Sequence, residues 1–255
     1  MTSVSRLPVI RKCYRHTPPF VDPDVYFRFS DGQLTETLPA AGYALKEPNG
    51  LVAAGGVLDA QTLIAAYSAG IFPWFNDDED AVLWWSPDPR AVIDPQSPRI
   101  TRSLAKRIRS GCFQVTADTA FAAVIAECAA QRADAEGTWI TANMSAAYLE
   151  LHRLGYAHSV EVWENRQLVG GLYGVALGGV FFGESMFFLS RDASKVALVK
   201  LAGELADRDF GLIDAQVSSA HLTSLGAIDM PRKQFLATVA EFLERPGWPG
   251  LWTFK

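Results

Sequence analysis

The stretch Ser159–Phe188, SVEVWENRQLVGGLYGVALGGVFFGESMFF, decides the fold. SVEVW alternates apolar and polar residues, ENRQ has turn chemistry, and LVGGLYGVA (168–176) and GVFFGESMFF (179–188) are compact apolar runs punctuated by glycine. Period-2 patterning bounded by turn residues predicts an antiparallel meander. Downstream, Ala193–Asp209 reads as a helix, GLIDAQV (211–217) as a strand, and Arg232–Glu244 as a final helix opened just after Pro231. Upstream, Asn143–Leu154 reads as a helix stopped by Gly155, and Arg99–Arg109 as another.

Further towards the N-terminus, Asp59 is placed to cap a short helix through Tyr67, with Gly70 as its stop. Pro87, Pro89, Pro95 and Pro98 cluster where a linker is expected. Residues 1 to about 42 show no sustained period and carry prolines at 8, 18, 19, 23 and 39, so an extended, partly mobile arm is predicted. The division is therefore an arm (1–42), a small N-terminal domain (43–94) and a larger domain (95–255), of α+β class.

Composition narrows the function classes. The chain has 255 residues, 49% hydrophobic and 20% charged, which fits a globular protein and excludes a disordered or collagen-like one. Its net charge of -5 and pI near 5.4 lower the expectation of a nucleic-acid partner. Cys13, Cys112 and Cys128 are scattered without metal-ligand spacing, which points to a reducing compartment and to no disulfide framework or metal. No signal-peptide core or membrane-spanning run is evident, so a cytoplasmic protein without membrane attachment is expected.

Several local patterns carry chemistry. Gly183-Glu184-Ser185-Met186-Phe187 resembles the hydrolase elbow G-x-S-x-G, but it lacks the second glycine and continues as a strand, which argues against a serine nucleophile. His158 and Glu161, three apart in a strand, face opposite ways, so a structural histidine is expected. Arg99, Arg102, Lys106 and Arg109 share roughly an 80° arc of the predicted helix, opposite Ile100, Leu104 and Ile108, and Arg107 adds a fifth cation. That stripe reads equally as a phosphate-binding face or as a solvated one. Tyr67, Phe72, Trp74, Trp84, Trp85 and Trp139 read first as core, although the irregular segments around several of them also suit a pocket. Asp214 and Gln216, two apart in an apolar strand, are expected to project together, either as a structural pair or as groups that orient an amine and accept its proton.

Read together, EPNGLVAAGG (47–56), GIFPWF (70–75), WWSPDPR (84–90), EGTWIT (136–141), AHSVEVW (157–163), LVGGLYGV (168–175), FGESMF (182–187), IDAQV (213–217) and SLGA (224–227) closely resemble the leucyl/phenylalanyl-tRNA-protein transferase family, in collinear order over roughly residues 45–240. The resemblance implies a larger domain of acetyltransferase-like (GNAT-like) fold, with a mixed, mostly antiparallel sheet flanked by helices. It implies transfer of Leu or Phe, with Met as a further candidate, from the charged tRNA (Leu-tRNA, Phe-tRNA) to the α-amine of proteins beginning with Arg or Lys, within the N-end rule. No cofactor is implied. Acyl-CoA is not expected, because Ser190–Lys195 lacks the glycines of a pyrophosphate loop.

By resemblance, Asp214 and Gln216 are catalytic, with the Gln216 side-chain oxygen, polarised through Asp214, holding the attacking amine. Asp214 would help relay the proton, which the leaving ribose hydroxyl could instead take directly. The aminoacyl pocket maps onto Phe181, Met186, Leu172, Leu201, Leu205 and Ile213, with Glu184 placed for the aminoacyl amine or the ribose. Tyr67, Trp74, Trp139 and Tyr148 map around the terminal adenosine and pocket mouth, and Arg99, Arg102, Lys106, Arg107 and Arg109 onto the tRNA-binding region. An acyl-CoA N-acetyltransferase and a non-catalytic tRNA or N-terminus adaptor are the alternatives.

Overall fold

The computed structural model describes residues 25–133 and 139–254. Residues 1–24, with most of the predicted arm and Cys13, and Glu136–Thr138 of EGTWIT lie outside the described residues.

The meander forms as its pattern requires. Strand β8 (Ala157–Glu164) pairs antiparallel with β9 (Gln167–Leu177), and β9 with β10 (Val180–Phe188). Asn165 and Arg166 close the first hairpin with φ of 52° and 64°, the left-handed pair that matches strand twist in a two-residue turn. Helix α5 (Ala193–Ala206) packs across β8, β9 and β10. Strand β11 (Leu212–Gln216) then lies parallel to β10, but only along Val180–Phe182. With β6 (Arg90–Ile93), β7 (Gln114–Ala117) and β12 (Ile228–Met230), these make a seven-stranded sheet in the order β12-β6-β11-β10-β9-β8-β7. Helices α3 (Phe121–Ala133) and α4 (Ala142–Arg153) pack on it, and their residues join a different core cluster from α5.

The smaller sheet runs β2-β1-β3-β5-β4, with β1 (Tyr26–Arg28), β2 (Gln33–Thr35), β3 (Leu51–Gly55), β4 (Phe72–Pro73) and β5 (Leu83–Trp85). This corrects the arm. Residues 26–35 form a hairpin, and β1 pairs with β3, so the small sheet begins inside the segment read as irregular. Strands of three residues are too short to show a period.

The domain boundary shifts as well. The chain leaves the small sheet after Trp85 and has joined the large one by Arg90, so residues 90–94 belong with the larger sheet and the crossing is Ser86–Pro89. The two sheets are not independent, because one apolar cluster runs from Leu51, Tyr67 and Trp84 to Tyr148, Tyr173 and Phe182.

The helix α1 (Ala60–Ser68) starts at Asp59, whose Oδ1 accepts from Thr62 N at 2.7 Å, and ends at Gly70 with φ 70°. Helix α4 is capped by Thr141 and ends before Gly155, and α7 (Arg232–Leu243) follows Pro231. The predicted helix over 99–109 is shorter. Thr101 Oγ1 accepts from Leu104 N, and α2 is Arg102–Arg109, which leaves Arg99 and Ile100 ahead of it. The short helix α6 (Ala220–Ser224) completes the described set.

The glycines of β9 are spacers. A Cβ on Gly174 would stand 2.2 Å from Phe182 O and 2.6 Å from the Phe181 ring, whereas one on Gly203, in α5, would meet nothing within 4 Å. Gly174→Ala should therefore cost about 1–3 kcal/mol through overpacking, while Gly203→Ala should gain about 0.5–1 kcal/mol through helix propensity. Urea unfolding of the two variants checks the opposed signs.

Candidate active site

The site begins with two charges on neighbouring buried strands. Arg90 opens β6 and Asp214 lies in β11, and neither side chain has any solvent exposure. Arg90 Nε donates to Asp214 Oδ1 at 2.8 Å and Nη2 to Oδ2 at 2.7 Å, a bidentate fork. The guanidinium sits between the rings of Phe72 (4.7 Å) and Phe235 (4.6 Å), so it touches the small sheet and α7 as well as β11.

Asp214 has a third partner. Its Oδ1 accepts from the backbone N of Gln216 at 2.9 Å, and Gln216 has φ 63°. The register with β6 slips between Asp214 and Gln216, leaving Ala215 as the extra residue of a bulge. Asp214 thus acts on the Gln216 main chain, and the expected side-chain polarisation is replaced by a main-chain anchor. The two side chains also part: Asp214 faces Arg90, while Gln216 Nε2 donates to Glu184 Oε1 at 2.8 Å.

Glu184 sits on a second bulge. On β10, Gly183 pairs with Gly174 and Ser185 with Tyr173, so Glu184 is the unpaired residue. The slip explains why Phe181 and Met186, five apart, both belong to the cluster under α5, where regular alternation would separate them. It also points Glu184 at the tyrosines. Tyr67 Oη donates to Oε1 and Tyr148 Oη to Oε2, each at 2.7 Å, and the two hydroxyls touch each other. Burial pushes the Glu184 carboxyl up to about 7, with the Asp214 charge adding to the rise and the tyrosine and Gln216 donors opposing it. Burial, followed by the Glu184 charge, holds both phenols well above their ordinary value.

Glu184 and Gln216 stand in the wall of a cavity of about 370 Å³. Leu172, Phe181, Met186, Leu198 and Ile213 supply apolar surface, Glu184 and Gln216 the polar wall with Asp214 behind it, and Trp74 and Trp139 further lining. His221 also lines it, its imidazole lowered by burial and by Lys195. An apolar chamber with a few convergent polar groups, one of them strongly shifted, has the character of a ligand site.

The family model described as leucyl/phenylalanyl-tRNA protein transferase matches residues 92–240, and that of its N-terminal domain matches residues 56–88. A leucyl/phenylalanyl-tRNA–protein transferase of Azoarcus sp. is 55% identical over 84% of this chain and 91% of its own length. Those of Thiobacillus denitrificans (54%, covering 85% and 94%) and Chromohalobacter salexigens (56%, covering 84% and 83%) are as similar. The chain belongs to the leucyl/phenylalanyl-tRNA protein transferase family. It is thereby an aminoacyltransferase, which decides against both alternatives.

Of the residues assigned to the transferase pocket, Leu172, Phe181, Met186, Ile213 and Glu184 line the cavity. Leu201 and Leu205 do not. Both are fully buried in the cluster under α5, and Leu198, one turn earlier, takes the lining position. Trp74 and Trp139 line the cavity, but Tyr67 and Tyr148 are fully buried beneath Glu184 and not at a mouth, because their hydroxyls are needed to satisfy its carboxylate. Trp84 and Trp85 are core.

The basic stripe divides. Arg102, Lys106 and Arg109 are exposed on α2 at i, i+4, i+7 spacing, and Arg99 is exposed ahead of it. Arg107 is tied down, with Nη2 3.4 Å from Glu164 and from Ser190 Oγ and its guanidinium over Phe113. GESMF continues as strand. His158 is buried, with Nδ1 2.8 Å from Asp118, and Glu161 is buried among Ser159, Thr116 and Thr119. Among the described residues no group of three His, Cys, Asp or Glu could hold a metal ion, and no helix is long and apolar enough to cross a membrane.

Besides Leu198 and His221, sequence reading missed Arg90. Its signal was an arginine opening an apolar strand, opposite the lone acid of another.

Asp214→Leu should destabilise the fold by about 3–5 kcal/mol, because it strands a buried cation. The double variant Arg90→Met, Asp214→Leu should recover most of that loss in urea unfolding, yet stay impaired in transfer because Gln216 has lost its anchor.

Proposed function

We propose that the chain transfers Leu or Phe, with Met as a further substrate, from charged tRNA to the α-amine of proteins that begin with Arg or Lys. In this reading the product is a destabilising N-terminus for N-end-rule degradation, and the reaction takes place in the cytoplasm, where charged tRNA is available. The observation that carries the reading is the polar wall of Glu184 and Gln216 beside an apolar cavity.

The substrate ester is already activated, so the enzyme needs to align a neutral amine with the carbonyl and move one proton. Leu172, Phe181, Met186 and Ile213 seat the apolar side chain of the aminoacyl group. Gln216 gives its amide N–H to Glu184, which leaves its amide oxygen to accept from the attacking amine. Asp214 and Arg90 hold that oxygen in place through the Gln216 backbone. As the new C–N bond forms and the ester C–O bond to the ribose breaks, the proton leaving nitrogen ends on the ribose oxygen. With a carboxyl near 7, Glu184 is half ionised at neutral pH and suits either the aminoacyl ammonium or a share in that relay.

Two features favour aminoacyl-tRNA over acyl-CoA. The segment entering α5, Ser190–Lys195, has no glycines to let a pyrophosphate approach backbone N–H groups, and Lys195 is engaged by Asp192 at 3.1 Å. Arg102, Lys106 and Arg109 offer exposed cations to a phosphate backbone, whose A-form shape is read in place of its base edges.

Labelled Phe-tRNA and a peptide beginning with Arg should yield the Phe-Arg product, and a folded protein that makes none refutes the reading. Gln216→Ala should lower kcat by about 100-fold or more, with tRNA affinity kept. The rate should rise with pH through about 7 as Glu184 ionises, and Glu184→Gln should abolish that limb, leaving only the titration of the acceptor amine.

Arg102→Ala with Lys106→Ala should weaken tRNA binding and lower the slope of log K against log salt by somewhat under one unit for each phosphate no longer neutralised. Filter binding across a salt series measures it, and an unchanged slope returns the stripe to a solvated face.

A further inference from the structure

Beyond α7 the chain returns to the cavity wall from behind. Trp252 is 2% exposed, and its indole lies flat on the His158 ring, with centroids 3.8 Å apart and planes 4° apart. On its other side Trp248 stacks at 4.4 Å, and the Arg208 guanidinium closes the column 3.5 Å above Trp248. Asp118 fastens the lower end, accepting from Trp252 N at 2.6 Å and bonding His158 Nδ1 at 2.8 Å. Trp252 Nε1 donates to Trp248 O. Four stacked planar groups and two bonds from one carboxylate leave the indole little freedom.

The indole reaches the cavity through a neighbouring ring. Phe181, which lines it, stands 5.9 Å from Trp252 between ring centroids. The Phe181 ring is also hemmed in at Gly174, where an added Cβ would stand 2.6 Å from it. Phe181 and Trp252 share one buried cluster, so Trp252 is part of what backs the ring.

We infer that Trp252 is a positioning residue that sets the depth of the amino-acid cavity through Phe181, so that the carboxy-terminal segment takes part in selecting the transferred side chain. The inference rests on the proposed transfer of Leu and Phe. It reaches beyond the matched family region, which ends at residue 240.

The test compares kcat/KM for Phe-tRNA, Leu-tRNA and Trp-tRNA with an Arg-peptide acceptor, at a temperature where circular dichroism shows native protein. Trp252→Ala should let Phe181 fall back and shift preference towards the bulkiest side chain, lowering the Phe-to-Trp ratio by about fivefold or more, with Leu losing more than Phe. Trp252→Phe should move the same ratio by a smaller factor in the same direction, and it alone decides if the alanine variant does not fold. In a Phe181→Ala background, Trp252→Phe should no longer change the ratio, as required if the effect passes through that ring. Ratios within twofold of wild type in the folded variants, or an effect that persists without Phe181, overturn the inference. Wild type that transfers neither Phe nor Leu would refute the proposed function itself, a distinguishable failure.

Discussion

Arg90 and Asp214 face each other fully buried, and each would be costly to bury alone. Their fork spans β6 and β11, while the guanidinium is pressed between Phe72 of the small sheet and Phe235 of α7. One cation thus registers three parts of the molecule against the strand that carries Gln216. Hydrophobic replacements often match a buried ion pair in stability, so stability alone does not account for it. What an apolar pair could not provide is the third bond, from Asp214 Oδ1 to a backbone N–H, which holds Gln216 in the left-handed region.

On that fixed strand the second carboxylate takes a different character. Asp214 is neutralised by a permanent cation, and Glu184 is not. Its partners are two phenols and an amide, all neutral donors, and burial raises its proton affinity towards neutrality. Two acids in one site are thereby set to different tasks, one tied to a guanidinium and a backbone N–H as a positioning group and one with its proton affinity raised towards neutrality. Different surroundings thus give two carboxyl groups different roles.

Much of this was legible in the chain. The meander, α1, α4, α5 and α7 each carried a period together with a cap or turn residue, such as Asp59, Gly155, Asn165 or Pro231. The β1–β2 hairpin was not legible, because three-residue strands depend on β3 and not on their own pattern. The cavity was readable through Leu172, Phe181, Met186 and Ile213, but Leu201 and Leu205 lie on the same helix as Leu198, and helical periodicity cannot say which turn reaches the cavity. Tyr67 and Tyr148 come from distant elements and meet only through Glu184, a convergence that no local pattern encodes. Arg90 could have been paired with Asp214 on the ground that a charge in a buried strand requires a counter-charge.

The two bulges can be viewed as errors of phase in an otherwise regular lattice. A pleated strand counts in twos, and Glu184 and Ala215 each insert one odd step, on β10 and on β11, close to where those strands part. Each step reverses the parity of the residues beyond it, so Met186 joins Phe181 on the same side and Gln216 can turn towards Glu184. Removing Glu184 would restore perfect alternation and a more regular sheet, with Met186 still opposite Leu172 and on the side of Phe181. It would also take away the carboxylate on which Tyr67, Tyr148 and Gln216 converge. The site is thus written in the parity of the count as much as in the identity of its residues.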